Sequence, residues 1–275
     1  MTVDSGGAPE SVRVRVDLAT EVETAGRLVL ALAVAGRLDA DEALTVRGPA
    51  GPLASRPVAM PHDTRMHLVE APVGRLEATY EATVRTTVAR DAPVTDAERL
   101  TFSLPSRFCP SDRIGGWAAN EFGTGDDAAR VLRVVDWVFE RTRYEAGTSG
   151  PTDDALTPLL TGAGVCRDYA HLVAAILRSL DIPARYVSVY APGLSPMDAH
   201  AVVEAVVDGH WRMVDATRLA PRRSMVRVGT GRDAADVALL TTLGAFTTGP
   251  FELQVTATVD PDLPPEDPGA LVALP

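Results

Sequence analysis

The chain has 275 residues, 46% of them hydrophobic and 23% charged, which is typical of a globular protein large enough for two domains. Its formal net charge of −11 argues against a nucleic-acid partner, because nucleic-acid phosphates bind basic surfaces. The sequence contains no run of about 20 apolar residues, the length that a membrane-spanning helix needs, so no membrane partner is expected.

The start of the chain and its cysteines predict the compartment. The segment Met1-Thr2-Val3-Asp4-Ser5 lacks the basic start and the apolar stretch of a secretory signal, so we expect a cytoplasmic protein. Two cysteines do not make a disulfide framework. We expect Cys109 to be a half-buried loop residue, and a redox disulfide between Cys109 and Cys166 is the alternative.

The first part of the chain predicts an antiparallel β domain over residues 1–105. Proline and glycine cluster at Gly48-Pro49-Ala50-Gly51-Pro52, as expected for a loop. Apolar residues alternate along three runs, and each run is typical of a strand with one buried face. The runs are Val12, Val14, Val16 and Leu18; Leu28, Leu30, Leu32 and Val34; and Leu76, Ala78, Tyr80, Ala82 and Val84.

The pattern becomes helical after Ser111, and we assign residues 106–260 to a second domain. An apolar stripe with the i, i+3, i+4 spacing predicts a packed helix from Ala128 to Phe139. The run from Phe251 to Val259 predicts a last strand. Residues 261–275 are rich in proline and predict an extended tail.

Cys166 is the candidate nucleophile of this second domain. A turn containing Gly162 and Gly164 precedes it, and an apolar run with helical spacing follows it up to Pro183. Cys166 therefore falls in the first turn of a predicted helix, where unpaired N–H groups and the positive helix end favour a thiolate and could hold an oxyanion. A thiol that attacks an acyl carbon also needs a base and a group that orients the base.

His200 and Asp215 are the candidate base and orienting group. The β-rich runs Ala199 to Val207 and His210 to Val214 are separated by Asp208-Gly209, the strongest two-residue signal for a hairpin. This turn predicts a register in which Val207 faces His210. His200 and Asp215 are then diagonal neighbours on one face, about 7 to 8 Å apart at Cα and within side-chain reach.

Neighbouring polar residues are expected to be structural rather than catalytic, because surface carboxylates are usually solvated. This expectation covers Asp198, Glu204 and His210. On the predicted helix, Arg167 is expected to be solvated. Asp168 and His171 are rotated away from Cys166, which leaves open whether they shape the site or only cap and pack the helix.

Four segments together resemble the bacterial transglutaminase-like cysteine enzymes. They are Gly164-Val165-Cys166-Arg167-Asp168-Tyr169, Ile182-Pro183-Ala184-Arg185, His200-Ala201-Val202-Val203-Glu204 and Val214-Asp215-Ala216-Thr217. The resemblance extends over most of residues 1 to 220. It implies an α+β fold with a papain-like core, in which a cysteine at a helix start faces an antiparallel sheet, and it implies the catalytic roles for Cys166, His200 and Asp215.

The sequence predicts a cysteine-dependent peptidase or amidase that acts on a peptide or another amide through a thioester. Val165 and Arg167 flank the cysteine where animal transglutaminases have Gln and Trp, which favours hydrolysis over cross-linking. A transamidating acyltransferase and a non-enzymatic binding module remain as alternatives. No metal-ligand spacing or cofactor motif is present, so no metal or cofactor is expected.

Overall fold

The computed structural model describes residues 9–85, 93–244 and 247–274, so the N-terminal segment Met1 to Ser5 lies outside the described residues. The strands are β1 (Ser11–Val22), β2 (Gly26–Leu30), β3 (Ala40–Gly48), β4 (Gly51–Leu53), β5 (Ser55–Ala59), β6 (Arg65–Ala71), β7 (Gly74–Arg85), β8 (Arg143–Tyr144), β9 (Ala163–Gly164), β10 (Ala184–Tyr190), β11 (Ala199–Val207), β12 (His210–Val214), β13 (Val226–Gly231), β14 (Leu240–Leu243) and β15 (Thr248–Asp260). The helices are α1 (Asp96–Ser103), α2 (Gly115–Phe122), α3 (Asp127–Arg141), α4 (Leu156–Thr161) and α5 (Cys166–Ser179).

The N-terminal strands form two antiparallel sheets that enclose one apolar core. One sheet has the order β15-β1-β7-β3-β4 and the other the order β14-β2-β6-β5. Alternate residues of β1 and β7 are buried between them, because side chains along a strand point to opposite faces. The predicted strand through Val34 is shorter than expected and ends at Leu30. Residue Val34 lies in a buried loop, where Tyr80 Oη accepts a hydrogen bond from its N–H at 3.0 Å.

The strands that carry the candidate site form a separate antiparallel sheet of order β12-β11-β10-β13. The hairpin register is confirmed, because Val207 pairs with His210 and Val203 with Val214. Helix α5 packs against β10 and β11 and is buried along almost its whole length. The described part of the chain is therefore α+β, with a helix lying across an antiparallel sheet.

The last two strands belong to the N-terminal sheets. β15 pairs with β1 from Val22 to Ser11, and β14 pairs with β2. Non-local pairing of this kind leaves no signal in the local sequence, so hydrophobic alternation located β15 but could not assign its sheet. The division into domains at residues 105 and 260 stays a prediction. No helix in the described ranges is long and apolar enough to cross a membrane.

The segment after β15 is extended, but it is tied to the edge of the site sheet. Val272 accepts a backbone hydrogen bond from Met213 of β12 at 2.6 Å. The buried guanidinium of Arg222 donates to Glu266 Oε1 at 2.6 Å and to the carbonyls of Met213 and Ala270 at 3.2 and 2.9 Å. Arg222 therefore joins the C-terminal segment to β12.

We predict that Arg222→Met destabilises the protein by about 3 to 5 kcal/mol, because it removes one partner of a buried charge pair and leaves several carbonyls unpaired. Chemical denaturation measures this change. The matched control is Arg47→Met, an exposed arginine of β3, which should stay within about 0.5 kcal/mol. Equal effects of the two substitutions would contradict the role of Arg222.

Candidate active site

The start of α5 is fixed by Asp168. Its Oδ2 accepts the N–H of Val165 at 2.9 Å and its Oδ1 accepts the hydroxyl of Ser149 at 2.9 Å. The carboxylate packs against Gly164 so closely that a Cβ there would lie 2.7 Å from Asp168 Cβ. Asp168 thus caps the helix that begins at Cys166, which settles the alternative left open by the sequence.

Cys166 is the first residue of α5, and its thiol is partly exposed. The Sγ atom lies 3.8 Å from the carbonyl oxygen of Ala199, the first residue of β11. β12 pairs with β11 only from Val203 onward, so this end of β11 is open on the side where the sulfur lies. The thiol is therefore held between a helix start and a free strand edge.

His200 and Asp215 are in direct contact. His200 Nε2 lies 2.9 Å from Asp215 Oδ2, and the two side chains are 0% and 2% exposed. The other carboxylate oxygen, Oδ1, accepts the N–H and the hydroxyl of Thr217, both at 2.8 Å. Because Nε2 is engaged by Asp215, Nδ1 is the ring nitrogen that remains for the thiol of Cys166.

The electrostatics of this pair favour a charged imidazole. Burial alone would lower the pKa of His200, but the charge and hydrogen bond of Asp215, with smaller contributions from Cys166, outweigh it and raise the pKa to about 10. The pKa of Asp215 is lowered: burial opposes ionisation, and His200 and Thr217 more than offset that effect. The Nδ1 atom of His200 is buried and makes no hydrogen bond to the described residues, so it remains available to a proton from the thiol.

Tyr144 is a further residue at the sulfur, and the sequence did not point to it. The parallel pairing of β8 with β9 places Tyr144 opposite Gly164, two residues before Cys166. Burial, followed by the charge of Cys166, raises the pKa of Tyr144 to about 12, so the phenol lies close enough to the sulfur to interact with its charge. β8 and β9 are two-residue strands on either side of a long connection, too short for any periodic signal.

Two other polar residues considered in the sequence analysis, Glu204 and His171, have structural roles. Glu204 is buried between Arg185 and Arg227, with contacts of 2.7 Å to each. His171 is buried, its Nε2 accepts the N–H of Ala234 at 3.1 Å, and burial lowers its pKa to about 3. Glu204 is therefore held by two ion pairs, and His171 is packed in the core with one hydrogen bond from the backbone.

Two expectations about exposure were wrong. Arg167 is not solvated: its guanidinium donates to Ser149 Oγ at 2.8 Å and to the carbonyl of Gly150. Cys109 is not half-buried but fully buried, its Sγ lies 3.6 Å from the carbonyl of His171, and burial raises the pKa of its thiol to about 12. Both cysteines are free thiols in the structure.

A cysteine at a helix start, held against the open edge of an antiparallel sheet that carries a buried His–Asp pair, is the papain-like arrangement. Residues 118–216 match the family model of the transglutaminase-like superfamily. Over these residues the chain is similar to transglutaminase-like domains, and Cys166, His200 and Asp215 all lie inside the matched region. Within the described ranges, no three His, Cys, Asp or Glu side chains gather into a metal-binding group.

Two similar proteins extend this comparison. The crystal structure of a "Putative Cysteine Protease" from Cytophaga hutchinsonii is 29% identical and has a TM-score of 0.83, with 96% of each chain covered. The uncharacterized protein ML0607 of Mycobacterium leprae (strain TN) is 36% identical over 121 residues, and the match spans only 42% of its length. The family match and the Cytophaga hutchinsonii structure support a cysteine-dependent enzyme.

We predict that the imidazole of His200 keeps its proton until the pH approaches about 10, since its pKa is raised above the ordinary value of 6.5. The stability that this pair contributes is then full below about pH 6.5 and is lost as the pH rises through about 10. In Asp215→Asn the titration should move to lower pH, because the compensating charge is gone.

Titration of ¹⁵N-labelled imidazole by NMR measures this shift directly, without any substrate. Asp41→Asn, which changes an exposed aspartate of β3, is the control and should leave the titration in place. A His200 titration near the ordinary value in the unchanged protein would contradict the prediction.

Proposed function

We propose that this chain is a cysteine-dependent amidase or peptidase, with Cys166 as nucleophile, His200 as general base and acid, and Asp215 as the group that orients His200. The single observation that carries the proposal is the buried contact between His200 Nε2 and Asp215 Oδ2 at 2.9 Å beside a thiol at a helix start. A raised imidazole pKa next to a thiol favours the ion pair of thiolate and imidazolium.

The proposed reaction has two halves. The thiolate of Cys166 attacks the amide carbon, and the resulting oxyanion collapses as His200 gives its proton to the leaving amine. The product of this half is a thioester on Cys166 and a free amine. His200, now neutral, takes a proton from water, which attacks the thioester and releases the acid and the thiolate.

Two donors beside Cys166 could hold the oxyanion. One is the backbone N–H of Cys166 in the first turn of α5, where N–H groups have no acceptor within the helix. The other is the hydroxyl of Tyr144, whose pKa is raised in part by the charge of the same cysteine. Preorganised donors at the developing charge are usually the largest single contribution to catalysis of acyl transfer.

The second half of the reaction decides between hydrolysis and transamidation. Water is always available, and the flanks of Cys166 differ from those of cross-linking transglutaminases. We therefore favour hydrolysis of a peptide or other amide. An amine that reaches the thioester before water would give a transamidating acyltransferase on the same residues.

We predict that 4-nitrophenyl acetate acetylates Cys166 and releases 4-nitrophenol in a burst, because this activated ester needs only the thiolate and an oxyanion site. Mass spectrometry of the intact protein locates the acetyl group. Cys166→Ala and His200→Ala should abolish the burst, and Asp215→Asn should lower it while leaving some activity. Repeating the reaction with added glycine methyl ester shows whether the acyl group passes to water or to the amine.

The control is the alkylation rate of Cys166 by iodoacetamide near neutral pH, compared with the urea-denatured chain. A site built for catalysis should react faster when folded. If the folded protein reacts no faster than the denatured chain and forms no acetyl adduct, the enzymatic proposal is wrong and a binding module on this fold takes its place.

We predict that Tyr144→Phe lowers the rate of acetylation about a hundredfold, the usual effect of removing one oxyanion donor. The substitution keeps the aromatic ring, whose centroid lies 6.0 Å from that of the Tyr169 ring, so the folded structure should persist. Tyr80→Phe, which removes a buried hydroxyl in the N-terminal sheets, is the matched control. Unchanged acetylation in Tyr144→Phe would remove Tyr144 from the mechanism.

A further inference from the structure

Asp198 is an exposed residue directly before the start of β11, and it is linked to the thiol through Ala199. Its Oδ1 accepts the N–H of Ala199 at 2.7 Å, and the carbonyl of the same Ala199 lies 3.8 Å from Cys166 Sγ. In an extended strand the N–H and C=O groups of one residue point to the same edge. The carboxylate and the sulfur are therefore neighbours on one edge of β11.

Tyr144 supports this placement independently. The charge of Cys166 and, to a smaller extent, the charge of Asp198 are among the causes that raise the pKa of Tyr144. The carboxylate, the phenol and the thiol are thus neighbours. Asp198 is exposed, as expected for a surface carboxylate, and its Oδ1 lies on the N–H of the residue whose carbonyl contacts the thiol.

The two arginines that are sequence neighbours of Tyr144 and Cys166 are already paired. Arg143 forms an ion pair with Glu145 at 2.8 Å. Arg167 lies 3.5 Å from Asp168 and also binds Ser149 and Gly150. Asp198, by contrast, makes no ion pair within the described ranges; its hydrogen bond is to a backbone N–H. Asp198 is therefore a carboxylate close to the thiol that has no cationic partner among the described residues.

We infer that Asp198 selects a substrate with a cationic group, an ammonium or a guanidinium, next to the carbonyl that Cys166 attacks. The inference rests on the proposed function and names its substrate class. A cation there would meet an unpaired carboxylate at short range, in the field of a chain with a net charge of −11. An anionic group at the same position would be repelled by Asp198.

The test uses pairs of thiol reagents that differ in charge. The first pair is the trimethylammonium-ethyl and the sulfonato-ethyl methanethiosulfonates, with uncharged methyl methanethiosulfonate as reference. The second pair is an arginyl and a citrullyl acyloxymethyl ketone, which have nearly the same shape and differ in charge. Second-order rate constants for modification of Cys166 are measured at low and high salt.

Asp198→Asn is the informative variant, because its amide oxygen can still accept the N–H of Ala199 while the charge is removed. We expect it to lower the rate ratio of the cationic to the uncharged reagent about fivefold at low salt, as one unit charge at close range would do. It should also abolish the preference for the arginyl over the citrullyl ketone. Asp198→Glu should keep both preferences, and Asp41→Asn in β3 should change neither.

The outcomes separate this inference from the proposed function. If uncharged methyl methanethiosulfonate modifies folded Cys166 no faster than the denatured chain, the proposed function fails. If it reacts quickly, but either reagent pair gives the same ratio in the unchanged protein and in Asp198→Asn, the selection of a cation by Asp198 is overturned while the proposed function stands.

Discussion

The structure depends on one buried interaction, the contact between His200 and Asp215. The side chains of His200 and Asp215 are 0% and 2% exposed, so both lose nearly all of their hydration. This loss costs free energy unless opposite charge and hydrogen bonds offset it. Here the imidazolium, the N–H and the hydroxyl of Thr217 surround the carboxylate. A pair of this kind survives only if the backbone holds its two members in one fixed geometry.

Two features fix that geometry: the hairpin of β11 and β12, and the C-terminal segment, which binds the chain beyond β12. At the turn, Asp208 and Gly209 both have positive φ, as the tight hairpin requires, and this fixes the register of the two strands. Beyond β12, Arg222 bonds back to the carbonyl of Met213, which closes the loop that contains Asp215. The C-terminal segment binds both ends of that loop, so it braces the orienting carboxylate.

The sequence could predict what depends on short-range chemistry. The Asp208-Gly209 turn gave the register, and the glycines before Cys166 with the apolar run after it gave the start of α5. The sequence could not predict Tyr144, because that residue reaches the thiol through a parallel pairing across a long connection. Nor could it predict the brace: a proline-rich segment carries no periodic pattern, and the role of Arg222 depends on backbone carbonyls distant in the chain.

The N-terminal sheets have a mechanical role in this arrangement, even though they carry none of the candidate catalytic groups. Their apolar core includes Tyr190 of β10, whose hydroxyl donates to the carbonyl of Leu32 at 2.6 Å. Tyr190 pairs with Ala199, the residue whose carbonyl contacts the thiol and whose N–H holds Asp198. The start of β11, which contacts the thiol, is therefore paired with a residue of β10 that is packed in the N-terminal core. A change in that core can alter the position of Ala199 through this one pair of residues.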